Sequence, residues 1–382
     1  MLLVGDIHIE NRFKDKLLNQ LKDKILSSKE KNVIFLGDYV YHFSYDRRAI
    51  VELFELFVLL AKEGKKLWIM SGNHDRIAEK FVFEEAAIFA QLSGFEQIRF
   101  VFEPQVAQIE NKKVLFLPFN HKIWLNRSID FLSPYASLHK ELRESENQNE
   151  KISAKLNEWL AQNMKGVDYV FHHFYVAGTK FPGQQAKFGF KDIALAPWTL
   201  DQSFKMFSGH LHWAFGYKNY FCTWSVWAVS FSEINEIKHI WELVGGELTA
   251  IPMDIRTIIQ ISTDQIAVKF LNESYQSWQE NFLDEWSVVF PSEIALDFKN
   301  IYLFLEGKDI DDVPSELFEK FWTVKLKKYK MNVEIPQFSN VDFEKMKVSF
   351  SAWKEMLKDY LKQKYPSDWE KYISQLKELK IL

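Results

Sequence analysis

The sequence predicts an α/β fold with a layered core. Three observations lead there: short apolar runs alternate with helical patterns through the first half of the chain, polar residues gather where those runs end, and 47% of 382 residues are hydrophobic, enough to bury at least one full core. Two domains are the natural expectation at this length.

The runs LLVG (2–5), VIFLG (33–37), LWIMSG (67–72), VLFLPF (114–119), DYVFHH (168–173) and FKMFSGH (204–210) each read as a buried strand. Between the first two lies the helix-like FKDKLLNQLKDKIL. Between the second and third lies RRAIVELFELFVLLAKEG, whose Gly64 suits a helix C-cap. Residues 141–166 read as a surface helical region, most solvent-like at ELRESENQNEK. After GHLH the character changes. CTWSVWAVSF and IKHIWELV alternate, and ELTAIPM, TIIQIST, IAVKFL and SVVF continue as strand-like pieces. A domain boundary is expected near residue 245. The tail from 341 is helical, with Met346, Phe350, Trp353, Leu357 and Tyr360, then Trp369, Tyr372, Leu376 and Leu379, at three- and four-residue spacing.

Composition narrows the classes. A formal net charge of -4 neither requires nor excludes a nucleic-acid partner, because a basic groove can sit on a mildly acidic protein. A single cysteine, Cys222, rules out an internal disulfide framework and any thiolate cluster, and a reducing, cytoplasmic setting fits. The start of the chain does not read as a secretory leader, and no apolar run reaches membrane-spanning length, so no membrane association is expected.

The strand ends carry the chemistry. They hold Asp6 and His8 in GDIH, Asp38 in LGDY, Asn73, His74, Asp75 and Arg76 in GNHDR, His172 and His173 in VFHHF, and His210 and His212 in SGHLH. Residues i and i+2 of an extended segment point to the same side, so Asp6 and His8 can grip one ion together, while a turn in GHLH would let His210 and His212 face different ions. His121 and His239 read as ordinary surface or hydrogen-bonded core histidines. Imidazole, carboxylate and amide oxygen suit Mn²⁺, Fe²⁺ or Zn²⁺. The candidate ligands are too many for one ion. Two ions about 3.5–4 Å apart need a bridging carboxylate, and Asp38 is the best placed; such a pair clamps a phosphoryl group for in-line displacement. Asn73 is a neutral oxygen ligand that adds no charge to repel phosphate. His74 suits protonation of a leaving alkoxide. Asp75 would orient His74 or carry loop structure, and Arg76 would contact phosphate.

The order DxH … GD … GNHD … H … GHxH, over residues 6–212, resembles the calcineurin-like metallophosphoesterase superfamily. The resemblance implies a two-sheet layered metallophosphoesterase core flanked by helices over 1–245, with a small α+β capping domain over 246–340 and a helical tail over 341–382. It implies that Asp6, His8, Asp38 and His212 bind one metal, and that Asp38, Asn73, a histidine of VFHHF and His210 bind the other. The residues leave His172 and His173 both open; in the family the first histidine after the apolar run usually corresponds, which selects His172. His74 would be the transition-state histidine. Two divalent ions are implied, with Mn²⁺ expected and Fe²⁺ or Zn²⁺ as alternatives.

The stretch after GHxH is similar to the SbcD-type nuclease subunit of double-strand-break repair and recombination complexes. SFSE stands at 230–233, Lys238 follows, and IPM stands at 251–253. The family's usual Gly-Ser-Pro becomes Trp224, Ser225, Val226, a departure because Trp replaces Gly at a positive φ only at a cost. This likeness implies metal-dependent DNA exonuclease and endonuclease action, a coiled-coil ATPase partner of the SbcC type that docks on the helical tail, and a homodimer formed through helices such as LFELFVLLAK. It also points to His42, in GDYVYH, as a nuclease histidine. Two other readings stay open: a small-substrate phosphatase or nucleotide phosphodiesterase, and a non-catalytic metal-stabilised scaffold.

Overall fold

The computed structural model describes residues 1–10, 14–40, 47–77, 80–92, 95–119, 148–179, 193–212, 215–229, 233, 237–255, 257–262, 288–289, 301–307, 323–328, 362 and 370. The chain divides into two compact units, Met1–Tyr329 and Lys330–Leu382. In the second, the described residues 362 and 370 are helical; the apolar positions of the expected tail helices lie outside the described residues. Among the described residues, no helix is long and apolar enough to cross a membrane.

The α/β expectation holds: two multi-stranded sheets are flanked by helices, with further strands toward the C-terminus. The first sheet holds β1 (Leu2–Val4), β2 (Asn32–Phe35), β3 (Lys66–Met70), β6 (Ile98–Val101), β15 (Lys238–Val244), β16 (Glu247–Met253) and β18 (Val288–Val289), in the order β18-β16-β15-β1-β2-β3-β6. Strands β1, β2, β3 and β6 run parallel, and β15 returns antiparallel to β1. The second sheet holds β7 (Gln105–Ile109), β8 (Lys112–Leu117), β9 (Tyr169–His172), β12 (Lys205–Ser208), β13 (Phe215–Tyr217) and β14 (Tyr220–Cys222), in the order β13-β14-β12-β9-β8-β7. Two short pairs, β4 (Arg76–Ile77) with β5 (Lys80–Phe81) and β10 (Tyr175–Val176) with β11 (Ala194–Leu195), decorate the loops. Strands β17 (Thr257–Ser262), β19 (Ile301–Gly307) and β20 (Thr323–Lys328) form a separate parallel sheet. Of the 246–340 segment, β16 and β18 therefore lie in the first sheet.

Strand alternation sets the layers. Leu3, Ile34 and Trp68 of the first sheet pack with Val114, Phe116, Phe171 and Phe207 of the second, forming the layer between the sheets. Their neighbours Leu2, Val33 and Leu67 face the other way, under α1 (Lys14–Ser27) and α2 (Arg47–Lys62). In α1, Leu17, Leu21 and Ile25 recur at four-residue spacing and are the buried face. Gly64 adopts φ +85 just after α2, and the N–H groups of Gly64 and Lys65 donate back to the carbonyls of Ala61 and Leu60, the C-cap that the sequence suggests. Helix α3 (Glu84–Leu92) precedes β6. Helix α4 (Gln148–Asn163) lies within the helical region expected at 141–166; it is not purely superficial, because Ile152, Leu156 and Leu160 pack on the outer face of the second sheet against Leu115, Val170 and Met206.

The stretch after β14 does not continue as a strand. Ser225 makes an isolated bridge to Asp6, the Asp6 N–H donates to the Trp224 carbonyl at 3.2 Å, and the Val226 N–H donates to the Asp6 carbonyl at 2.9 Å. Trp224 adopts φ +58, in the left-handed region that favours glycine. Its ring is fully buried, stacked on His239 at 5.5 Å and 9°. Packing thus holds a conformation that a β-carbon disfavours. Replacing Trp224 with glycine relieves strain of about 1–2 kcal/mol but removes a buried aromatic worth about 3–5 kcal/mol. The expected outcome is net destabilisation of about 1–4 kcal/mol, read as a lowered midpoint in urea unfolding; an unchanged or raised midpoint would show that the strain is the larger effect.

Candidate metal centre

The strand ends meet at one end of the layer between the sheets. Asp6 and His8 follow β1, Asp38 follows β2, Asn73 and His74 follow β3, His173 follows β9, and His210 and His212 follow β12. Two groups of ligand atoms converge there, one from Asp6, His8 and His212, the other from Asp38, His173 and His210, with the atoms of each group within 4.8 Å of one another.

In the first group the Nε2 atoms of His8 and His212 face each other at 2.9 Å, and the His212 Nε2 lies 3.8 Å from Asp6 Oδ2. In the second, His173 Nε2 lies 3.2 Å from Asp38 Oδ2, while Asn73 Oδ1 lies 3.0 Å from His173 Nε2 and 2.8 Å from His210 Nδ1. Asp38 Oδ2 also lies 3.8 Å from His8 Nε2, so one carboxylate oxygen touches both groups. Facing ring nitrogens and a shared carboxylate between them are the donor set two divalent cations require, and this chemistry fits the expectation from the sequence.

Asp6, His8, Asp38 and His173 are buried, whereas Asn73, His210 and His212 are partly exposed and His74 is exposed. The groups therefore have a sealed floor and an open rim. Burial pushes the imidazoles of His8 and His210 down to about 3, which keeps them neutral and able to ligate at neutral pH. Burial also pushes Asp6 up to about 7, against the pull of His173. For His173, burial works downward, but the charge and hydrogen bond of Asp38 win and raise it to about 9. Desolvation opposes the Asp38 charge as well, but His173, by charge and hydrogen bond, together with His8 and His74 holds Asp38 well below the usual carboxylate range.

The sequence reading selects His172; the structure brings His173 to the cluster instead. Phe171 faces the layer between the sheets, so His173, two residues on, projects the same way. His172 turns to the opposite face, where its ring lies 5.4 Å from that of Tyr220 and its Nδ1 accepts the Phe174 N–H at 3.3 Å. The Nδ1 of His173 instead lies 2.7 Å from the Leu36 carbonyl, which leaves Nε2 for Asp38 and Asn73.

Asp75 does not meet the ligand groups by its side chain. Its Oδ2 accepts the N–H groups of Asp38 at 2.8 Å and Gly72 at 2.7 Å, and its Oδ1 accepts that of Tyr39, so it stitches the GD loop to the GNHD loop. The backbone N–H of His74 donates to Asp38 Oδ1 at 2.8 Å, and its ring stands 5.2 Å from that of His8. Arg76 begins β4, and its side chain lies outside the described residues, as does His42. His239 lies apart from both groups, packed on Trp224 and Trp241. Two residues have a place that the sequence motifs alone did not give them. Glu233 contacts His212 Nδ1 at 3.1 Å, and Lys238 contacts Glu233 at 2.7 Å. Their sequence signal is an acid inside SFSE with a lysine five residues on, at the start of a buried strand.

Residues 1–214, more than half of the chain, match the family model of the calcineurin-like phosphoesterases. No curated protein gives a significant match. The two groups together make a site consistent with metal-dependent phosphoester hydrolysis. His173→Asn is expected to lose one of two bound Mn²⁺ ions in a calorimetric titration, and His172→Asn to keep both. Retention of two ions by the first variant and loss of one by the second would reverse the assignment.

Proposed function

The chain belongs to the calcineurin-like phosphoesterase family, and from that premise we propose that it hydrolyses phosphodiester bonds of DNA as the nuclease subunit of an SbcCD-like repair and recombination complex. The observation that carries the hydrolytic part is the shared Asp38 oxygen between two groups of imidazole and carboxylate ligands, with the exposed His74 beside them. Asp6, His8, Asp38 and His212 would hold one ion, and Asp38, Asn73, His173 and His210 the other. When bound, two divalent ions, with Mn²⁺ the expected activator, polarise the phosphoryl oxygens and lower the pKa of a water.

The remaining work belongs to the side chains. Asp38 and Asp75 fix the backbone under His74, so the imidazole stays at the rim, placed to give a proton to the departing 3′-oxygen. The open rim suits a phosphodiester within a polymer. The DNA part of the reading is supported by the SFSE, Lys238 and IPM likeness, and by the way two of these elements are built into the site: Glu233 contacts His212 directly, and Lys238 both pairs with Glu233 and donates to the His212 carbonyl. A coiled-coil ATPase partner and a homodimer complete this reading. Helix α2 keeps Leu53, Phe57 and Leu60 for its own core and exposes Val51 and Leu59, which are available to a second copy.

Mn²⁺-dependent cleavage of a DNA hairpin and of linear duplex ends is the direct test, with Asp38→Asn expected to reduce it about 100-fold. Hydrolysis of p-nitrophenyl phosphate or a nucleotide diester without any DNA cleavage would move the activity to the small-substrate reading. His74→Ala is expected to keep two ions and to lose turnover by about 10²–10⁴ on DNA, with part of the loss restored on a p-nitrophenolate leaving group. An equal loss on good and poor leaving groups would remove the acid role and leave charge stabilisation.

A further inference from the structure

His212 is held differently from the other ligand-group histidines. The second nitrogen of His8 lies 3.2 Å from the Val40 carbonyl, and that of His173 lies 2.7 Å from the Leu36 carbonyl, both neutral acceptors. The second nitrogen of His212 is instead set against a carboxylate: Glu233 Oε1 lies 3.1 Å from its Nδ1. Glu233 is fully buried, and its other oxygen accepts the Ser225 hydroxyl at 2.8 Å and pairs with Lys238 Nζ at 2.7 Å. Lys238 is itself 1% exposed, and the same ammonium donates to the His212 carbonyl at 3.0 Å. Ser225 closes the circle, because it bridges to Asp6, the other anchor of that group.

A buried acid and a buried lysine, both aimed at one partly exposed ligand, make a costly arrangement unless it serves that ligand. The His212 side chain is 23% exposed, so packing surrounds only part of the ring. We propose that Glu233 is a positioning residue for the Asp6–His8–His212 group, holding the His212 ring so that Nε2 faces His8 and Asp6, with Lys238 and Ser225 holding Glu233. This rests on the reading that the site binds two ions. A carboxylate against the remote nitrogen of a ligating histidine fixes its tautomer and raises its basicity, and loss of such a partner typically weakens metal binding about 10–100-fold. Because Glu233 bears on one group only, the weakening is expected for one ion of the two. The asymmetry is the signature that a general loss of structure would not give.

The test is calorimetric titration of the full chain with Mn²⁺ alone, without substrate. Wild type is expected to bind two ions. Glu233→Gln is expected to bind one ion as wild type does and the other about 10–100-fold more weakly. Because that variant leaves Lys238 buried without its charge partner, Glu233→Gln combined with Lys238→Met is measured beside it, with metal-free melting as the check on folding. Glu233→Gln in the His173→Asn background, which strips the other group, is expected to leave no tight ion. Wild-type affinity for both ions in the folded variants, equal weakening of both, or a tight ion remaining in the His173→Asn background would each overturn the proposal. Failure of wild type to bind two ions would instead remove the two-ion reading on which it rests.

Discussion

Asp38 is the residue on which the rest of the centre depends. It is 1% exposed, and the loops after β1, β3 and β9 dock on it. Its carbonyl accepts the N–H groups of Ile7 and His8, both at 2.9 Å, which brings in the loop after β1. Its N–H goes to Asp75 and its Oδ1 receives the His74 N–H, which brings in the loop after β3. Its Oδ2 reaches His173 from the loop after β9. A buried carboxylate without such partners would cost several kcal/mol and take up a proton instead. Here the charge and hydrogen bond of His173, added to the charges of His8 and His74, together outweigh the desolvation and hold the carboxyl well below its usual range. The negative charge at the centre is therefore a product of the whole assembly of loops.

That assembly is strained. His8 at φ +42, Asp38 at φ +53 and His210 at φ +76 all lie in the left-handed region, and Trp224, directly beneath, lies at φ +58. Each such residue costs on the order of 1–3 kcal/mol and persists only where its surroundings over-determine it. The surroundings are visible: His8 and Asp38 are tied by the shared Asp38 carbonyl, His210 donates its N–H to Asp6 at 2.9 Å and 3.0 Å, and Trp224 is fixed by burial. Of the six non-glycine positive-φ residues described, these four sit at or under the centre, so the strain is concentrated where lone pairs must converge.

The strands and most of the site were legible because their signals are local. Each apolar run ends in a polar motif; β1, β9 and β12 fall within the runs that the sequence marks, and β2 and β3 begin one residue before theirs. His173 was not legible. A strand buried on both faces shows no alternation, so DYVFHH gives no indication of which face, that of Phe171 and His173 or that of Val170 and His172, looks into the layer between the sheets. Glu233 was visible as a letter and not as a partner, because the contact with His212 joins residues 21 apart, with β13 and β14 between them. Trp224 shows the limit of propensity: its positive φ is set by tertiary packing, against its own preference. His42 and the tail helices lie outside the described residues.

The glycines of the motifs follow from the same geometry. Leu36, Met70, Phe171 and Phe207 all face the layer between the sheets. Two residues beyond each stand Asp38, Gly72, His173 and Gly209. Two of these columns end in a ligand and two in a residue without a side chain. A β-carbon on Gly72 would meet Asp38 Oδ1 at 2.2 Å, and one on Gly209 would meet Asp6 Oδ1 at 2.1 Å and His173 Nδ1 at 3.2 Å. Glycine is required there because the ligand carboxylates occupy the space its side chain would fill. The inter-sheet layer thus changes over one step from close-packed aromatics to close-packed donors, and the glycines leave the room in which two groups of ligands can share Asp38.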